Sequence, residues 1–497
     1  MGIYSKIRCK TDFLQYNMPS AMIISKKFIY ILVQPLFLIL SSIFVFNYLN
    51  LPQKYFLTDH PIIKILFLTL LLNSVFLLFH KLLISPKKSL ILIFVVAFLL
   101  RLYFILITPN YNNWIDLSIY RSSGRLISNG INPYDFQGQI KLREKIRIDL
   151  MKDYKKDSWN NYISGNLPLS QIYYGLIERI SPTPEAYRLI FNAFDSLLVV
   201  LIFLFTQKFW QIQQAKKSNL FYTLIFLLPV TLVWGTILPE DKGLQILFMI
   251  GTVYLANSRS TLKKILISPI LLSFAVTFKL YGIFLIPICL YYLIKNTKDN
   301  SLIKKLADSV IYIFVFLVSN FIILFPHLKY INSFLIYRLY VENSLPTNAS
   351  ALRLFYLLFG SRYIFAEYFL IGVYLIFAAY YLFKVKNKIL FLTMIVFLLL
   401  LIINKYGSLD RMNILILTTI LLSGVLSAKL GIYTMYIYGI FGVSNLFVYL
   451  YAIIERIPMQ NYQVYESLFV LYFVLIFPLI FSKLYHFHAK SIIYKRK

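Results

Sequence analysis

The residues of this chain with chemistry to offer are few and mostly charged. Asp116 stands in Trp114-Ile115-Asp116-Leu117-Ser118-Ile119-Tyr120, and helical spacing stacks Tyr120 and Ser123 over it. A carboxylate at a boundary between apolar and aqueous surroundings can take a proton from a hydroxyl, which is the work of a general base. The plain alternative is an N-cap, since Asp ahead of a helical run accepts orphan backbone N–H groups; both roles can coexist. Glu240 and Asp241 follow Pro239 at the start of an apolar run, with Lys242 beside them. Adjacent carboxylates could position an acceptor or hold a divalent cation through oxygen ligands, whereas a single acid would serve the helix dipole alone. Asp195 lies within an apolar run, two helical turns from Arg188. An ionisable group there is costly to bury, so it is either functional or one half of a hydrogen bond to a neighbouring helix. Lys279, in Phe278-Lys279-Leu280-Tyr281, separates two apolar runs. It suits a point-charge contact to phosphate or a snorkelling role. Arg338, Arg353 and Arg362 share one late polar segment and could clamp a phosphate bidentately, though each alone reads as surface charge.

Helices must position these groups, and composition says of what kind. Of the 497 residues 59% are apolar and 14% charged, with a positive mean hydropathy, whereas soluble proteins are about half apolar and about a quarter charged. A soluble globular fold is excluded. Apolar runs fall at 28–49, 62–84, 90–107, 186–206, 219–234, 243–257, 264–278, 281–294, 306–325, 366–383, 389–403, 411–428, 431–453 and 466–485. They predict an all-α polytopic bundle of about fourteen transmembrane spans, a single integral membrane domain over 1–497.

The net charge of +30 could suggest a nucleic-acid partner, but such proteins carry their basic residues on polar surfaces. Here the basic residues alternate with the spans. Lys6, Arg8, Lys10, Lys26 and Lys27 begin one set of connections, followed by Lys87 and Lys88, then Lys208, Lys216 and Lys217. The same side receives Arg259, Lys263, Lys264, Lys295, Lys298, Lys304 and Lys305, then Lys384, Lys386, Lys388, Lys429 and the basic tail. Short loops rich in Lys and Arg stay inside, so both termini are predicted cytoplasmic. Of the 20 acids only Asp12, Asp299 and Asp308 fall on that side. The chemistry is therefore expected on the outer face, where two long connections emerge, 108–185 and 326–365. The first contains an amphipathic helix over 116–129, with Trp114 and Ile115 as interface anchors, and a second over 140–155. No N-terminal signal peptide is evident. Cys9 and Cys289 give no disulfide framework or metal pattern. No phosphate loop, GxGxxG or HExxH occurs, and the five histidines form no ligand-spaced cluster.

One resemblance rests on these residues. Asp116-x3-Tyr120, Ser123, Leu126 and Gly130-Ile131-Asn132-Pro133-Tyr134 resemble the first outer loop of polytopic glycosyltransferases with the GT-C fold. The nearest branch is the bacterial mannosyltransferase-like GT87 family. Further matches run in order: Asn166-Leu167-Pro168-Leu169-Ser170, Arg188 to Asp195, Pro239-Glu240-Asp241-Lys242-Gly243-Leu244-Gln245, and Phe278-Lys279 with Pro287. The similarity covers about 90–295; the remaining helices agree only in general layout. Two helices precede the one that normally leads into the first outer loop, and the Glu-Asp pair stands where related enzymes often show other polar pairs.

The resemblance implies a transferase in a bacterial inner membrane, taking a sugar from a polyprenyl-phosphate donor to a glycan, lipid or protein acceptor. Asp116 would be the catalytic base of an inverting displacement. Glu240 and Asp241, with Tyr120, would bind the acceptor or a metal, and a divalent cation is an open alternative to no cofactor. Lys279 and Lys242, with Arg338 and Arg353, would stabilise the departing phosphate. The competing readings are a lipid-linked glycan flippase, which would bind near the midplane between repeats, and an O-antigen-type polymerase or ligase. No internal repeat supports the first, and the late loop, with only His327, does not favour the second.

Overall fold

The computed structural model describes residues 86–107, 115–135, 166–210, 229–297, 301–330, 345–346, 349–405, 409–454 and 459–496. The chain divides into two units, Met1–Lys81 and Leu82–Lys497, and every described residue belongs to the second. The expected spans at 28–49 and 62–84, residue Trp114, the helix over 140–155 and Arg338 lie outside the described residues.

Among the described residues the fold is helical and without strands. We number the helices α1 (Pro86–Ile107), α2 (Ile115–Ser128), α3 (Pro168–Ile180), α4 (Pro184–Phe209) and α5 (Lys242–Ala256). There follow α6 (Ser268–Phe278), α7 (Ile286–Lys295), α8 (Leu302–Leu324), α9 (Arg353–Phe359) and α10 (Tyr363–Leu382). The last four are α11 (Lys388–Ile403), α12 (Leu409–Leu426), α13 (Ala428–Ile454) and α14 (Met459–Arg496). Among the described residues, five helices are long and apolar enough to cross a membrane: Pro184–Phe209, Leu302–Tyr330, Arg353–Leu382, Leu409–Leu426 and Tyr462–His486. Shorter apolar helices at Leu90–Leu106, Lys242–Ala256, Leu280–Lys295 and Lys388–Ile403 accompany them.

Burial separates centre from rim. In α12, 83% of the apolar window is buried, against 11% in the segment that contains α8. On α8 the residues Ile303, Leu306, Val310, Phe314, Leu317 and Phe321 are exposed, repeating every three or four positions along one face. In water that stripe would be a large apolar patch; it is the surface that hydrocarbon would cover.

Two local features prepare the site. Helix α3, which the sequence patterns did not predict, starts with Pro168 at its first position, where a missing N–H costs nothing. It packs along α2 through Leu117, Tyr120, Tyr174 and Ile177, and Tyr187 and Phe191 of α4 close the cluster. At the far end of α2, Gly130 adopts φ 75°. Its N–H donates to the Ile127 carbonyl at 3.0 Å, and the Ile131 N–H donates to the Leu126 carbonyl at 2.9 Å. This is a Schellman ending, in which glycine takes the left-handed position. The following turn docks on the segment Phe325–Tyr330, where Asn132 Nδ2 donates to the Pro326 carbonyl at 3.1 Å and lies 3.0 Å from His327 Nδ1.

Candidate functional site

Four helix ends meet at the N-terminal end of α5. The chain reaches α5 through Pro229–Thr231 and a buried π-helical turn, Leu232–Ile237. Leu238 then has ψ 107°, the extended backbone that a following proline imposes. The link of Leu238, Pro239, Glu240 and Asp241 is thus kept out of the helix, and two acids stand over its first turn. Both are buried, as is Lys242. Lys242 Nζ lies 2.7 Å from Glu240 Oε2, 2.8 Å from Asp241 Oδ1 and 3.2 Å from Asp410 Oδ2. One ammonium therefore serves three carboxyl groups from two helix ends.

The α2–α3 pair supplies the next layer. Asp116 is the second residue of α2, half-buried, and its carboxyl is hydrogen-bonded to that of Glu240. One turn on, Tyr120 donates to Glu240 Oε2 and accepts from Lys242 Nζ at 2.9 Å. Tyr174 of α3 donates to Asp241 Oδ2. The two tyrosine rings stack with centroids 4.7 Å apart, in the range where aromatic pairs add about 0.5–1.5 kcal/mol. The stack delivers two hydroxyls to two adjacent carboxyls.

Lys279 enters between α6 and the tight turn Leu280–Leu285, with extended backbone at φ −153° and ψ 138°. Neighbouring helices hold this break. Ser170 Oγ donates to the Phe278 carbonyl at 3.1 Å, and Gln245 Nε2 donates to the carbonyls of Ala275 at 3.0 Å and Lys279 at 3.3 Å. Lys279 is buried near Lys242, Asp241, Arg411 and Asp410.

Electrostatics divides the acids. Burial, and next the neighbouring Asp116, push the Glu240 carboxyl up to about 8. Burial acts the same way on Asp241, but Lys242 and Lys279 outweigh it and hold that carboxyl below the usual range. Burial and the like charge of Lys242 drive the Lys279 ammonium well below the ordinary lysine value. The phenols of Tyr120 and Tyr174 are pushed well above theirs by burial and the adjacent carboxylates, so both remain donors. Two carboxyls in contact cannot both ionise cheaply, which is how Asp116 adds to the rise at Glu240.

A divalent cation does not fit this donor set. The Lys242 ammonium already sits among the carboxylates that would bind one. Among the described residues no group of three or more His, Cys, Asp or Glu side chains could hold a metal ion.

The structure thus gathers Asp116, Tyr120, Glu240, Asp241, Lys242 and Lys279 at one place. Asp116 lies inside the first turn of α2 and spends its carboxyl on Glu240. Arg353 is not grouped with Lys242 and Lys279: it opens α9, whose neighbours are α10 and α14. Arg362 is exposed in the turn Gly360–Arg362. Asp195 is buried on α4, and its Oδ2 makes no hydrogen bond to a neighbouring helix. Three members of the site were missed by the sequence patterns: Tyr174, Asp410 and Arg411. A signal for the last two existed, because Asp410 and Arg411 open an apolar helix just as Asp241 and Lys242 do. No known family model matches the chain, and no curated protein matches it either.

Proposed function

We propose that this cluster is the active centre of a GT-C-type membrane glycosyltransferase in a bacterial inner membrane, with both termini cytoplasmic. The reaction passes a sugar from a polyprenyl-phosphate donor to an acceptor hydroxyl at the outer face. The observation that carries the reading is the Asp116–Glu240 carboxyl pair, half-open on the Asp116 side and flanked by lysine and arginine.

Glu240 keeps its proton, and Asp116 accepts its hydrogen bond. Asp116 takes the proton of the acceptor hydroxyl as that oxygen bonds to the anomeric carbon. The bond from that carbon to the phosphate oxygen breaks, its electron pair leaves with the polyprenyl phosphate, and the configuration inverts. Lys279 and Arg411 face the negative charge that grows on the leaving phosphate. Asp241 and Lys242 hold the frame: Lys242 neutralises the acids, and Asp241 anchors it.

The test is Asp116→Asn in the purified full chain, assayed with a panel of polyprenyl-phosphate-linked hexoses. Transfer falls about 10²–10⁴-fold, the usual contribution of a general base, while donor binding persists. Undiminished turnover removes Asp116 from the chemistry. Movement of the lipid across vesicles without its consumption replaces the reading with a flippase.

A further inference from the structure

One buried carboxylate has no part in that reaction. Asp195 is 3% exposed, and its Oδ2 lacks any hydrogen-bond partner. Two glycines make room for it: Gly235 in the π turn and Gly243 in the first turn of α5. A Cβ on either would overlap the Asp195 carboxylate. The charged groups near enough to act on it are Arg101 of α1 and Asp241.

The place it reaches has a need. The first N–H groups of a helix have no intrahelical acceptor, and the dipole there favours negative charge. Asp241 occupies the cap position of α5, yet its side chain makes no capping bond. It is engaged instead by Lys242 and Tyr174. Asp195, arriving from another helix against Gly243, brings a carboxyl to the helix end that the Asp241 side chain leaves uncapped. The preceding turn is tied down separately. Arg101 Nη2 donates to Thr231 Oγ1 at 2.9 Å, and Arg188 Nη2 donates to the Thr236 carbonyl at 3.0 Å. Trp234 Nε1 donates to Glu466 at 2.8 Å.

We propose that Asp195 is a positioning residue: through Gly243 it sets the first turn of α5 and so fixes Lys242 among Glu240, Asp241 and Asp410, without touching substrate. Its catalytic consequence rests on the transferase reading above; its structural consequence does not.

The experiment uses the full chain in nanodiscs with the same donor panel and three variants. Asp195→Asn keeps the shape and removes the carboxyl. Gly243→Ala overfills the cleft, and Asp195→Ala with Gly243→Ala reopens it without the carboxyl. Asp195→Asn melts close to wild type and keeps its KM for donor, while kcat falls about 10²-fold, the scale of a misplacement of about 1 Å. Gly243→Ala loses stability, and the double variant recovers melting temperature but not kcat. Reductive methylation of Lys242, followed by peptide mass, is faster in Asp195→Asn and in the double variant than in wild type. Wild-type kcat in Asp195→Asn, or recovery of kcat by the double variant, overturns the role in catalysis. If wild type transfers no sugar, the transferase reading falls, and methylation alone decides: unchanged Lys242 reactivity in both variants overturns the positioning role.

Discussion

Both ends of α5 bring a buried lysine to a carboxylate, and they are built differently. At the N-terminal end Lys242 touches Glu240, Asp241 and Asp410 within 3.2 Å. Beyond the C-terminal end Lys264 stands 3.8 Å from Asp308 and donates to the Asn296 carbonyl at 3.3 Å. Asp308 also accepts from Thr297 Oγ1 at 3.1 Å, and Asn296 Nδ2 donates to Asn257 Oδ1 at 2.7 Å. The second arrangement is a set of satisfied helix ends, with a lysine on a terminal carbonyl as the dipole favours. The first holds more acid than one lysine can neutralise and leaves Asp410 Oδ1 unpartnered. A structural pair needs one charge of each sign; an excess of carboxyls, one of them raised, is the pattern on which the proposed acid–base role draws. Charge crowding, rather than burial, separates the two ends.

The sharpest way to break this contrast is Lys242→Met. Removing one partner of a buried ionic cluster strands the rest, at about 3–5 kcal/mol, so the variant should lose most of its folded fraction in a detergent melt. A melting temperature within a few degrees of wild type would show that the carboxyls can share protons among themselves. Tyr174→Phe is next. It removes a hydrogen bond to a charged group, which contributes about 1.5–3 kcal/mol. It keeps the ring stack, so the loss in a denaturant titration isolates the hydroxyl.

Much of this was legible in the sequence, and the failures have physical causes. Each predicted apolar run that lies fully within the described residues is helical, because hydrocarbon-length apolar stretches have few other ways to satisfy their backbone. Asp116, Glu240, Asp241, Lys242 and Lys279 were visible as charges interrupting or bounding such stretches. That Lys242 sits among three carboxyls was not visible. Spacing along the chain does not report which ends meet in space. Asp410 and Arg411 carried the same local signature as Asp241 and Lys242 but lie far along the chain from them. Tyr174 was hidden by abundance: among 40 tyrosines nothing local marks the one that stacks on Tyr120. Arg353 opens a helix packed on α10 and α14, and an arginine in a polar segment carries no information about which helices it will join.

A third measurement sharpens the contrast through pH. Burial and then Asp116 raise the Glu240 carboxyl from about 4.5 to about 8. A carboxyl raised in this way binds its proton more tightly in the folded chain. Its contribution to stability is present in full below about 4.5 and is lost as pH rises through about 8, at roughly 1.4 kcal/mol per unit across that window. Glu240→Gln keeps a donor for Asp116 and an acceptor for Tyr120 and Lys242, so its melting temperature should lose that dependence between pH 5 and 8. A wild-type profile flat over the same range would mean that the fold does not raise Glu240.

The smallest effect belongs to the other end of α5, and it is the control on which the comparison depends. Lys264→Met removes a 3.8 Å ion pair and one hydrogen bond to a carbonyl. Thr297 still satisfies Asp308, and the Asn257–Asn296 bond is untouched. The expected cost is about 1 kcal/mol, that of one ordinary hydrogen bond, with no change in donor binding. Lysines at this end are also expected to fix loops to the cytoplasmic face, so the variant is judged on correctly inserted protein purified from the membrane. If it destabilises as much as Lys242→Met, burial alone sets the energetics of both ends, and charge crowding loses its claim to mark the proposed active centre.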